Sequence, residues 1–251
     1  MSEASGIYAL WYREFKVFTR ERSRVVSSLI TPLMWLVIFG TGLGSILNGA
    51  AVGGDYQTFI YPGIIAMTVL FSSLFFGVYI VWDKKIDFLK EVLVAPISRT
   101  SIFFGKVLGG TTDGMIQVVI LMALGTFFGI HYTILSFMAT LVFAFILIIG
   151  IVSIGLTIGS YMSSPEGFSL IGGFVIFPLF FLSGALFPLK SLPAWLYTFV
   201  SINPVTYAVD GLRGIIIGIH QFSIMYDLSI ILLFAFIMIV IGTYSFKRMK
   251  L

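Results

Sequence analysis

The side chains able to do covalent or metal chemistry are few and far apart. Two of 251 residues are histidine, His131 and His220, and none is cysteine. Zinc hydrolysis needs two histidines one helical turn apart, and acyl transfer in a hydrolase fold needs a serine on a G-x-S-x-G elbow; neither pattern occurs. Without thiols, disulfides and thiolate metal sites are excluded. The single Gly-Lys pair, Gly105-Lys106, is followed by valine and lacks the upstream glycine of a phosphate-binding loop, so any nucleotide must be bound by another chain. The run GTGLGS at 40–45 has no strand before it, which removes the dinucleotide reading.

Three charged residues in apolar surroundings remain. Asp113 lies well inside the apolar stretch 104–129, where a carboxylate is costly and marks either function or an interhelical hydrogen bond beside Gly110 and Gly114. Asp210 and Arg213, spaced i and i+3, can form a structural pair.

The elements that must hold these residues are set by composition. The chain is 59% hydrophobic and 10% charged, with a mean hydropathy of +1.07, well outside the range of soluble domains. About 20 apolar residues cross the hydrocarbon core, and uncharged runs place six transmembrane helices at 25–47, 57–82, 104–129, 134–161, 168–187 and 224–246. The alternating pattern of a membrane barrel is absent, so the fold class is an all-α integral membrane protein. Eight charges in the first 24 residues leave no room for a signal-peptide core, and the first span is expected to direct insertion.

Lysine and arginine gather on the cytoplasmic side of membrane proteins. Six spans with both termini inside put thirteen of the fifteen basic residues there: Arg13, Lys16, Arg20, Arg22, Arg24, Lys84, Lys85, Lys90, Arg99, Lys106, Lys247, Arg248 and Lys250. Lys190 and Arg213 fall outside. Pro193 and Asn203-Pro204 argue against a seventh span over 191–209, and 188–222 reads as two short helices dipping into the outer leaflet. The net charge of +4 reflects this topology and no nucleic-acid partner.

Eight of the 26 charges fall within 83–106. There, Phe88, Leu89, Val92 and Leu93 recur at helical spacing, with Lys84, Lys85, Asp87, Lys90 and Glu91 on the other side and Pro96 as a stop. The segment is either a charged loop that fixes topology or a docking helix for a cytoplasmic partner. Near the N-terminus Ile7, Leu10, Trp11, Phe15 and Phe18 share one arc opposite Arg13, Lys16 and Arg20, as in an interfacial helix, although Glu14 intrudes on the apolar edge. Seven G-x-x-x-G pairs (40/44, 49/53, 105/109, 110/114, 125/129, 155/159, 214/218) indicate close helix packing.

Two passages carry a family resemblance. FLKEVLVAPISRTSIFFGKVLGG (88–110) resembles the cytoplasmic passage between spans two and three of ABC-2-type exporter permeases. FPLFFLSGALFPLKSLPAWLYTFVSINPVTYAVDGLRGIIIG (177–218) is similar to their fifth span and outer helices. The likeness covers the whole chain as one transmembrane domain, 1–251, with an N-terminal interfacial helix (1–24), a coupling-helix loop (83–103) and outer re-entrant helices (188–222), and looks closest to the daunorubicin-resistance-like branch. The resemblance implies a permease subunit in the plasma membrane that works as a homodimer with two copies of a cytoplasmic ABC ATPase. ATP and Mg then sit on that partner, and this chain has no cofactor, no metal and no enzymatic activity. It implies that Asp87, Phe88, Leu89, Lys90, Glu91, Val92, Leu93 and Pro96 form the ATPase-coupling surface, with Leu89, Val92 and Leu93 as packing contacts. Phe180, Phe181, Phe187, Trp195 and Asp113 become pathway or gate residues, and Pro178 is expected to kink span five. Membrane lipid is a further partner, and hydrophobic drugs or lipids are the expected cargo, with polysaccharides or lipid-linked glycans as the alternative. A stand-alone channel or scaffold is the rival from another class.

Overall fold

The computed structural model describes residues 2–44, 55–189 and 193–249. Lys190, Lys250, the glycine pair at 49/53 and the end of the first expected span lie outside them. The described residues form eleven α-helices and no strand: α1 (Glu3–Arg20), α2 (Arg22–Gly44), α3 (Tyr56–Phe75), α4 (Val78–Lys85), α5 (Phe88–Val94), α6 (Arg99–Gly125), α7 (Ile134–Tyr161), α8 (Pro165–Phe181), α9 (Ala194–Ile202), α10 (Pro204–Ile217) and α11 (Ile224–Arg248).

Four helical stretches are long and apolar enough to cross a membrane: α3 with α4 (Tyr56–Lys85), α6 with a short 3-10 turn (Arg99–Phe128), α7 and α11. Two shorter apolar helices lie in α2 (Ser28–Gly42) and α8. The expected fifth span is thus shortened. α8 ends at Phe181, one turn after Pro178, and the chain then turns through Gly184 at φ +70°.

Most helices start on a side chain that accepts an otherwise orphaned backbone N–H. Ser98 accepts from Ser101 N (3.1 Å) at α6, Ser164 from Gly167 N (3.1 Å) at α8, and Ser223 from Tyr226 N (3.2 Å) at α11. Thr133 and Ser136 form a reciprocal capping box on α7. Asn203 followed by Pro204 starts α10, and Gly218, at φ +74°, ends it.

Helix α3 is the centre of the core, with every residue from Phe59 to Leu70 buried. It packs on α2, α6, α7, α8 and α10, while α7 lies between α3, α6 and α11. The backbones of the α3–α4 stretch and of α7 nearly touch. A Cβ on Gly77 would lie 2.1 Å from the Gly155 carbonyl oxygen, and one on Gly155 would lie 2.3 Å from that of Leu74. Only glycine permits this approach, and it coincides with the break between α3 and α4. The 105/109 pair packs against a different kind of element. It receives Leu10 and Glu14 of the N-terminal helix α1 rather than another span.

Candidate functional site

Helix α5 is the short amphipathic element expected between spans two and three, but its orientation differs from expectation. Leu89 and Val92 are 1% and 9% exposed and belong to the chain's own core, and Leu93 is partly buried against it. They are therefore not free packing contacts for a partner. The apolar face of so short a helix is consumed by seating it on α4. The outward surface consists of Asp87, Lys90, Glu91, Val94 and Pro96, with Val94 87% exposed. Asp87 adopts a left-handed conformation (φ +59°), which Asp tolerates better than most residues, and pairs with Lys90 at 2.7 Å in the open.

Behind α5 lies a buried charge cluster. Lys106 of α6, Glu14 of α1 and Asp83 of α4 are 1%, 3% and 2% exposed. The Lys106 ammonium donates to Glu14 Oε1 at 2.6 Å and to Asp83 Oδ2. Arg13 closes the cluster from its rim, donating to Glu14 Oε1 at 2.7 Å and Asp83 Oδ1 at 2.8 Å. Two cations and two anions thus balance, which is the condition for burying them. The Arg13 guanidinium also stacks over Phe88, 3.9 Å from the ring centroid, so α5 touches the cluster directly.

Helix α1 is held at two further points. Trp11 Nε1 donates to Thr112 Oγ1 at 2.9 Å. The Glu3 carboxylate accepts from the Ser101 hydroxyl and from the Ser98 N–H (3.1 Å) and hydroxyl (3.0 Å). These bonds, the Ser101 hydroxyl first, hold the carboxyl below its usual range.

Deeper in the membrane, Asp113 is buried and accepts from Gln117 Nε2, one turn along α6. Gln117 is itself fully buried, its Oε1 has no hydrogen-bond partner, and it lines a cavity of about 300 Å³ between α2, α3 and α6. Thr31, Met67, Phe71 and Phe75 form other parts of the wall. Gln117 was not singled out in the sequence, although its i+4 spacing from an intramembrane acid is a local signal.

The expected gate aromatics fall in different surroundings. Phe180 is buried edge-on against Trp35 of α2 (6.0 Å between centroids), and Phe181 lies beside the same ring at 6.3 Å, partly exposed. Phe187 is partly buried, and Trp195 is 67% exposed on α9. Phe180 and Phe181 thus meet α2 at the Trp35 ring, while Phe187 lies in the chain after α8 and Trp195 on α9.

No ion pair joins Asp210 and Arg213. The Asp210 carboxylate accepts from Gln221 N (2.9 Å) and Phe222 N (2.8 Å) and ties the end of α10 to the loop before α11. Arg213 Nη2 donates to Gly184 O at 2.9 Å, and its guanidinium lies 4.0 Å over the Phe59 ring. Backbone groups left unpaired by the turns after α8 and α10 compete for these side chains and win.

Comparison with known proteins fits this architecture. The sequence pattern of the ABC-2 type transporter family matches residues 5–217. A protein of Porphyra purpurea named as a transport permease, ycf38, is 36% identical over 217 residues, covering 83% of this chain and 73% of its own. The inner membrane transport permease YadH of Escherichia coli (strain K12) is 28% identical over 236 residues, 91% of this chain and 90% of its own. DrrC of Mycobacterium tuberculosis, named as a doxorubicin resistance ABC transporter permease, is 23% identical over 206 residues, 80% and 73% of the two chains. A match across most of the chain, together with a relative above 30% identity, identifies it as a member of the ABC-2 type transporter family.

Proposed function

We propose that this chain is the permease subunit of an ABC exporter in the plasma membrane, with six spans and both termini in the cytoplasm. It pairs with a second copy and is driven by two separate ATPase subunits. The observation that carries this reading is α5: a helix whose apolar side is already buried, yet which still presents Asp87, Lys90, Glu91 and the bare side chain of Val94 to the outside. A charged rim around an exposed apolar residue suits a groove on a cytoplasmic protein. A thrust on α5 passes through Phe88 and Arg13 to the buried cluster, and from there to α1, α4 and α6 as one body.

The cargo class is hydrophobic drugs or lipids. The cavity between α2, α3 and α6 is walled by Pro32, Met67, Phe71 and Phe75, with Ser28, Thr31, Ser72 and the unsatisfied Gln117 acceptor as its polar groups, which suits a largely apolar molecule bearing a few polar groups. A glycan would need many convergent polar groups. The relative named for doxorubicin resistance agrees with this choice.

The test is co-purification of the permease with its ATPase partner. Val94→Asp combined with Glu91→Lys is expected to abolish the association while the permease stays folded, because both side chains point outward. Retained binding in that variant would reject α5 as the docking element. A cysteine at position 202, where Ile202 is 75% exposed, is expected to react with impermeant reagents only from outside the cell, and labelling from the cytoplasm would reverse the proposed orientation.

A further inference from the structure

The ends of α4, α7 and α11 converge on a cavity of about 500 Å³, lined by Lys84, Lys85, Ser160, Tyr161, Ser163 and Arg248 among others, with no acid among the described residues of its wall. Helix C-termini carry partial negative charge and would ordinarily repel an anion there. Here the ends of α7 and α11 are covered by cations. Lys84 Nζ donates to the carbonyls of Ser160, Gly159 (3.1 Å) and Met162 (3.3 Å) at the end of α7. Arg99 Nη1 donates to those of Met249 (2.7 Å) and Lys247 (3.1 Å) at the end of α11.

Lys85 and Arg248 remain. Among the described residues neither forms an ion pair with an acid; each rests on an aromatic ring instead. Lys85 Nζ is 5.4 Å from the Trp82 centroid, and Arg248 Cζ is 4.3 Å from that of Tyr244. Trp82, Tyr161 and Tyr244 are all about half exposed or more and lie near the same ends of their helices, as rings do at headgroup depth. From Arg248 an exposed stripe runs along α11 through Tyr244, Ile241 and Ile237, at helical spacing. A basic cavity at headgroup level, continuous with an apolar stripe along a span, suits an amphipathic anion better than a soluble one.

We propose that this cavity binds the phosphodiester headgroup of an anionic glycerophospholipid, with its acyl chain along the α11 stripe. Lys85 and Arg248 contact the phosphate, and the Ser160 and Ser163 hydroxyls are available as donors. Assignment to the cytoplasmic leaflet rests on the orientation proposed above, but the binding chemistry does not, and it requires no ATPase.

The experiment uses the purified permease alone in phosphatidylcholine nanodiscs doped with phosphatidylglycerol, with retained lipid counted by native mass spectrometry. The wild type is expected to keep phosphatidylglycerol in preference to phosphatidylcholine. Lys85→Gln with Arg248→Gln is expected to weaken that retention by roughly 30-fold, the loss of two cations near a charged surface. Lys85→Arg with Arg248→Lys, which preserves charge, is expected to retain it. Lys247→Gln removes an exposed cation of α11 that does not line the cavity and is expected to change nothing. Equal retention of the two lipids by the wild type, or an equal loss in the Lys247 control, would overturn the proposal. Displacement of the lipid by inorganic phosphate at comparable concentration would assign the cavity to a soluble anion and overturn it likewise.

Discussion

Lys106→Met is the most revealing single change in the buried cluster. Methionine keeps most of the side-chain volume, so little cavity forms, and the energetic consequence is electrostatic. Without the ammonium, Glu14 and Asp83 must share one guanidinium, and Arg13 reaches each through only one bond. A net negative charge is left where both acid side chains are almost wholly buried. Removing one member of a buried ion pair costs about 3–5 kcal/mol. The residual contact with Arg13 puts this variant near the lower end, about 3 kcal/mol. Arg13→Met should cost less, about 1 kcal/mol, because its side chain is 31% exposed, where water screens its charge, and Lys106 still donates to both acids. Combining Lys106→Met with Glu14→Gln and Asp83→Asn removes all three buried charges and should recover most of the loss, a coupling that simple addition of single effects cannot give. Unfolding of the purified protein in mixed micelles, titrated with sodium dodecyl sulfate and followed by tryptophan fluorescence, measures each difference. If Lys106→Met costs under 1 kcal/mol, or if the triple variant is no more stable than the single one, the cluster is not the balanced buried unit described here.

Three further outcomes follow from the geometry. Gly155→Ala places a Cβ 2.3 Å from the Leu74 carbonyl and should cost at least the ~1–3 kcal/mol of an overpacked core, lowering the melting temperature in detergent, whereas Gly173→Ala, with its nearest neighbour at 3.9 Å, should not. Arg213→Lys keeps the charge but cannot reproduce the planar fork between the Gly184 carbonyl and the Phe59 ring; a loss of about 1–3 kcal/mol in the same melting assay is expected from the stranded carbonyl. The Glu3 carboxyl sits below its ordinary value of 4.5 because the Ser101 hydroxyl and the Ser98 N–H bind its charged form. Its contribution is therefore present above the unfolded-state value and is lost as pH falls through the lower folded one. Amide exchange around Ser98 should accelerate in that acid window in the wild type and be fast and pH-insensitive, after correction for intrinsic rates, in Glu3→Gln. Unchanged protection across the window would remove Glu3 as the tie between α1 and α6.

The elements themselves were legible because each signal is local. Uncharged length marks α3, α6, α7 and α11; Pro96 and the Ser98 cap bound the turn after α5; Asn203-Pro204 starts α10, and Gly218 closes it. What the sequence could not supply is the partner of each face. The apolar stripe of α5 says that Leu89 and Val92 are covered but not by which surface, and the structure covers them with the chain itself. The spacing of Asp210 and Arg213 allows a pair, yet the acceptors at Gly184 and the donors at Gln221 and Phe222 arise from turns whose positions no helical wheel contains.

Glu14 shows the same limit most sharply. On the helical wheel of α1 it is a blemish, a carboxylate at the edge of a membrane-facing arc, and considered on that helix alone it argues against the amphipathic assignment. Its meaning lies 92 residues away. Lys106 sits one position after Gly105 and three before Gly109, the two glycines that let α1 lie against α6 closely enough for ammonium and carboxylate to meet. Charge and small residues therefore depend on each other. The glycines permit an approach that would strand Glu14 in an apolar contact if Lys106 were absent, and Lys106 would be buried without a partner on α1 if larger residues held that helix away. An apparent flaw in one helix and a small-residue pair in another are two halves of one contact, visible only when both are placed in space.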